Sequence, residues 1–170
     1  MSKPEKNEYG EWYAGYVSLV PEEDILAALM SQINEFEQLA ESIHEEKGAF
    51  AYADGKWNVK ELLGHLNDGE RIFAYRALRI ARGDQTPLSG FEQDDYIATG
   101  RFNSRTVADL IDELVMLRRS NLKLFENLED AAWIRMGTAS DNPISVQAVA
   151  YIMAGHVRHH LNILRNRYLA

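Results

Sequence analysis

The sequence predicts an all-α protein, a four-helix bundle formed by a single domain over residues 1–170. Three observations predict it. Apolar residues recur at helical spacing over four long stretches. Glycine and proline are sparse and mark the breaks between those stretches. With 46% hydrophobic and 26% charged residues, the chain has ordinary globular composition and is long enough to bury a core without staples.

The first helix is expected from about Pro21 to Glu46. Proline suits a first helical turn, and Glu22, Glu23 and Asp24 complement the positive end of the helix dipole. Ile25, Leu29, Phe36, Leu39 and Ile43 share its apolar face, which Gln32 interrupts. The second helix starts after Asn58, with Glu61 placed to close a capping box, and ends at Gly83-Asp84. Its stripe includes Leu62, Leu66, Phe73, Ala77 and Ile80. The third begins near Ser104 or Thr106 and runs to about Leu128. Arg118 and Asn121 fall inside its stripe, where they are substrate contacts or ordinary buried hydrogen-bonding groups. The fourth follows Asn142-Pro143 and runs to about Tyr168, with Val146, Val149, Met153, Val157 and Leu164 on one face.

The longest break, Gly83 to Arg105, suggests the topology. A helix of this size is about 30 Å long, and some twenty extended residues span that distance. The second and third helices are therefore expected to run parallel, giving up-down-down-up order with a long crossover. A structureless loop of that length is atypical, so part of it is expected to line a site.

Charge and composition exclude several classes. A net charge of -8 repels phosphate backbones and argues against a nucleic-acid partner. No apolar run approaches the roughly 20 residues needed to cross a bilayer, and Met1 to Tyr9 is charged. A cytoplasmic location without membrane attachment is expected. Cysteine is absent, which removes thiolate metal ligands and thiol nucleophiles. The aromatic segment Tyr9, Trp12, Tyr13, Tyr16 is expected to pack across the bundle or against a second copy in a homodimer.

The residues that point to chemistry are histidines. His156 and His160 are four apart, about 40° around a helix, and both lie toward the apolar side. Two imidazoles so placed can share a metal ion, or can be hydrogen-bonded core residues. His159 points the other way and is expected to be exposed. His65, on the edge of the second stripe with Gly69 one turn later, is either a third ligand or a boundary histidine bonded to Glu61. Three histidines with an open position form a catalytic rather than a structural set. Glu61 and Asp68 are candidate general bases. The Glu92 to Asp95 run reads as a solvated loop. No H-E-x-x-H, phosphate-binding glycine loop or G-x-S-x-G is present.

Trp57-Asn-Val-Lys-Glu61-x-x-x-His65-Leu-x-Asp68 resembles the second-helix signature of the DinB-like, or YfiT-like, metal-dependent hydrolases. Gly155-His156-Val-Arg-His-His160-Leu-x-Ile163 is similar to the closing pattern of that family, and the likeness extends over residues 12 to 168. The resemblance implies an up-down-down-up bundle with one divalent metal ion, nickel or zinc, on His65, His156 and His160. It also implies a small-molecule substrate. The chemistry is then hydrolysis or transfer to a low-molecular-weight thiol; a non-catalytic metal-binding stress protein is the alternative. Ile163-Leu164 stands where the family commonly has Gln-Ile, which leaves the three histidines in place but alters the polar groups around them.

Overall fold

In the computed structural model, which describes residues 3–169, each long helix starts where a side chain accepts its free backbone N–H groups. A short helix, α1, covers Ala14–Ser18. Asp24 caps α2, Ile25–Ser42, by accepting from the Ala27 amide at 3.1 Å. Asn58 and Glu61 form the expected capping box on α3, Val59–Ala81. The crossover contains α4, Gln93–Thr99. Thr106 caps α5, Val107–Glu126. After the single turn of α6, Asp130–Trp133, two strands precede the last long helix. These are β1, Met136–Ala139, and β2, Asn142–Ser145; Ser145 then caps α7, Val146–Ile163.

Three expectations need correction. The first helix runs from Ile25 to Ser42, not from Pro21 to Glu46, with Asp24 its cap rather than part of its first turn. Ile43 is extended, and Glu45 instead accepts from the Val107 amide at 2.8 Å and pairs with Lys60, so α2 is cut short to cap α5. The fourth helix starts at Val146 rather than after Pro143. Residues before it are taken by an antiparallel hairpin whose turn residues, Ser140 and Asp141, have φ of 50° and 60°, the signature of a tight twisted turn. The crossover is not structureless: besides α4 it carries a bridge between Leu88 and Ala139 and a 3-10 turn at Phe102–Ser104.

Side-chain pairings give the helix directions. Along α3 and α5, Asn67 donates to Leu110 O, and Glu70 accepts from Arg118 and Asn121, so the two helices run parallel. On α7, His65 meets His156, and Trp57 O accepts from Tyr168, so α3 and α7 are antiparallel. Gln32 bonds Ala154 O and Glu35 pairs with Arg165, so α2 and α7 run parallel. The order is up-down-down-up, as the crossover length suggested. No helix among the described residues is long and apolar enough to cross a membrane.

The core is divided. One apolar cluster joins the later part of α3 (Phe73, Ala77, Ile80) to the start of α7, residues 146–154. The other joins Val59 to Leu66 of α3 to Val157, Leu161 and Leu164. Between them lies a layer of buried polar side chains: Gln32, His65, Asn67, Glu70, Arg118, Asn121, His156 and His160. Buried polar groups persist only where they are paired or bind something.

Candidate metal centre

Half of the polar layer is closed on itself. Arg118, fully buried, donates to both Glu70 oxygens, to Gln32 Oε1 and to Leu29 O, while Asn121 donates to Glu70. The network ties α2, α3 and α5 together, and the interruptions in the first and third stripes are therefore structural.

Of the rest, Asn67 donates to Leu110 O and to Glu113, and the other three are the histidines. Their donor nitrogens all lie within 4.8 Å of one another. His65 Nε2 is 2.8 Å from His156 Nε2, and the His160 ring centre is 4.6 Å from that of His156. His160 Nδ1 is buried and has no hydrogen-bond partner. Gly69 makes the close approach possible, because a Cβ there would sit 2.9 Å from His156 Cε1. Burial pushes the His65 imidazole down to about 4 and that of His160 to about 2; His156 is also held well below its ordinary range, by burial and then by His160 and His65. All three are neutral at pH 7 and present lone pairs. Converging neutral imidazoles, one with an unpartnered nitrogen, suit a divalent metal cation.

His159 is not exposed. It is half-buried, with its ring 5.4 Å from that of Tyr16 and 5.0 Å from that of His160, because α1 folds over this face of α7. Glu61 is spent on the capping box and on Asn103, so it neither orients His65 nor serves as a base. Asp68, its carboxyl raised by burial, senses Arg71 and Glu113, on the α5 side of α3. The carboxylates that share the pocket of His65 and His156 are Glu92 and Asp95, from the run read as a solvated loop. The atypical length of the crossover was the signal for them.

That pocket, 600 Å³ in volume, is walled by aromatic side chains, Tyr13, Tyr16 and Phe73 among them. Tyr16 stands edge-on to His156 at 5.4 Å, and Trp57 covers His65 at 4.8 Å while donating to Asp94 at 3.2 Å. A second pocket of 300 Å³ opens on His160 from the Trp57 and Tyr168 side. The N-terminal aromatics thus pack on the histidine site itself.

A helical bundle with three histidines gathered between its apolar halves defines the class, a four-helix-bundle protein with a candidate metal centre. The DinB superfamily sequence profile matches residues 28–164, and the chain belongs to that superfamily. It is 24% identical over 142 residues to the protein of Oceanobacillus iheyensis named "Putative metal-dependent hydrolase OB0413", covering 80% of this chain and 79% of that one. It shares its fold with YfiT from Bacillus subtilis, described as a probable metal-dependent hydrolase with an unusual four-helix bundle topology. That likeness has a TM-score of 0.71 at 16% identity and covers 96% of this chain and 91% of the other.

Proposed function

We infer that the protein is a metal-dependent enzyme of the hydrolase type, with one divalent ion, nickel or zinc, held by His65, His156 and His160. The observation that carries this reading is the convergence of three buried, neutral imidazoles whose donor nitrogens lie within 4.8 Å of one another, His65 and His156 on the larger pocket and His160 on the smaller. The names of its relatives point the same way. A divalent ion bound there supplies Lewis acidity and a nucleophile at neutral pH.

The remaining work belongs to the chain. Three histidines leave coordination positions free for substrate. Tyr13, Tyr16 and Phe73 surround the reacting end with apolar rings and limit the access of bulk water. A carboxylate oxygen of Glu92 or Asp95 is the group at hand to take up the proton of an attacking water. The same arrangement suits the sulfur of a low-molecular-weight thiol, in which case the reaction is transfer rather than hydrolysis.

The test begins with metal content. Protein reconstituted with nickel or zinc at pH 7 should hold one ion per chain. His65→Ala, His156→Ala and His160→Ala should lose it, and His159→Ala should keep it. Loaded protein is then assayed with esters and amides, and with thiol and electrophile pairs, to separate hydrolysis from transfer. Metal binding without turnover would leave a metal-binding protein; folded wild type that takes up neither ion would end the metal reading altogether.

A further inference from the structure

Two arginines are almost completely withdrawn from solvent, and they are met differently. Arg118 is neutralised by Glu70. Arg76, on α3 and 1% exposed, is met only by neutral oxygens: Nη1 donates to the Tyr13 hydroxyl at 3.2 Å, and Nη2 donates to Ser89 O and to Ser140 Oγ, each at 3.0 Å. Among the described residues Arg76 joins no ion pair. A buried cation without a counterion is costly, and such charges are retained where an anion completes them.

Two of the oxygens on Arg76 face the histidine site. Tyr13 and Ser140 line the same 600 Å³ pocket as His65 and His156. Each hydroxyl oxygen accepts from the guanidinium, so its own O–H is turned away from Arg76 and is free to donate. Neither hydroxyl meets an acceptor among the described residues. Ser140 is held in this position at φ 50°, a conformation that a serine adopts at some cost, fixed by its amide donating to Leu88 O and its carbonyl accepting from Asn142. Three distant parts of the chain thus bring two outward O–H donors to one wall of the pocket, with the Arg76 charge behind them, between this pocket and the neighbouring groove that Arg76 also lines.

We propose that this wall is the seat of a substrate carboxylate: the pocket takes a small molecule with one carboxylate, whose oxygens accept from the Tyr13 and Ser140 hydroxyls over the Arg76 charge. The exposed carboxylates of Glu92 and Asp95 line the same pocket and disfavour a substrate that is anionic throughout. Trp12, Phe73 and Phe91 suit an apolar or aromatic body. This names the substrate class of the metal site and rests on the metal reading only for where the reacting end lies.

Phenylacetate and phenylacetamide test it, because they match in size and differ in charge. Calorimetric titration is carried out on zinc-loaded and on metal-free protein. Wild type should bind phenylacetate at least about tenfold more tightly than the amide in both forms. The double variant Tyr13→Phe, Ser140→Gly removes both donors, and glycine suits φ 50°. It should lose the preference while its zinc content stays as in wild type. A preference that survives in the double variant puts the carboxylate on the metal, or in the neighbouring groove lined by Arg71, Arg76 and Arg79, and overturns the proposal. Lack of any preference in metal-free wild type, including no measurable phenylacetate binding at millimolar concentration, overturns it too. The metal-free titrations keep this result separate from failure of the zinc site.

Discussion

Replacing Gly155 with alanine puts a methyl group into the contact between α1 and α7. The new Cβ would lie 2.0 Å from Tyr16 O and 2.5 Å from its carbonyl carbon. Those are backbone atoms, so no change of rotamer relieves the overlap. Ordinary contact begins near 3.4 Å, so α1 must retreat by about 1.4 Å. That movement takes the 3.0 Å bond from Arg158 to Leu19 O beyond hydrogen-bonding distance, at about 1 kcal/mol. It also opens the buried side of Val17. Alanine recovers about 1 kcal/mol of helix propensity over glycine. Overpacking typically costs 1–3 kcal/mol, and a net loss of about 1–3 kcal/mol is expected. Gly15→Ala is the control: nothing lies within 4 Å of its Cβ, so it should be neutral or gain up to about 1 kcal/mol. Urea unfolding reads both, as a lower midpoint for Gly155→Ala and an equal or higher one for Gly15→Ala, at unchanged slope. Tyr16 stands 5.4 Å from His156, so its aromatic NMR signals should shift in Gly155→Ala. A Gly155→Ala protein as stable as wild type would refute the argument.

Other predictions follow from the same contacts. Glu70→Leu leaves Arg118 buried and uncompensated and should cost about 3–5 kcal/mol; adding Arg118→Met should restore much of it, and strictly additive effects in a double-mutant cycle would contradict the pairing. Burial, with Tyr52 and Glu61 adding to it, pushes the Tyr168 hydroxyl up to about 12. An unfolded tyrosine titrates near 10, so this contribution to stability is complete below about pH 10 and is lost as pH rises toward 12. In a phenolate absorbance titration, Tyr168→Phe should therefore lack the latest step, and an unchanged titration would count against it. Trp12 of the N-terminal aromatic segment is exposed, and a homodimer is expected to cover it; sedimentation at micromolar concentration showing only monomer would remove that expectation.

The three histidines were legible because helical spacing puts His156 and His160 on one face, and the family resemblance singled out His65. The rest of the pocket was legible only in outline: the length of the crossover indicated that part of it lines a site, but not which residues. Glu92 and Asp95 sit in a segment without periodicity, and nothing local indicates that the crossover folds back over α3 and α7. Tyr13 and Tyr16 read as generic packing groups, although they form a wall of the site. His159 was expected in solvent because the 3.6-residue period describes only α7 and not the α1 segment laid across it.

What the sequence determined by itself was what short-range chemistry controls. The apolar periods specified four helices, Asn58 and Glu61 specified the start of α3, and the crossover length indicated parallel α3 and α5. The hairpin at Met136–Ser145, the early end of α2 and the pairing of Arg118 with Glu70 were decided by tertiary structure. Each depends on partners 40 or more residues away along the chain or, for the hairpin, on a bridge from Leu88 that anchors β1. The physical reason is that a backbone group or a buried charge is satisfied by whatever lies beside it in space. Arg76 is the clearest case: its sequence position on α3 suggests nothing, and only the fold withdraws it from solvent and surrounds it with neutral oxygens.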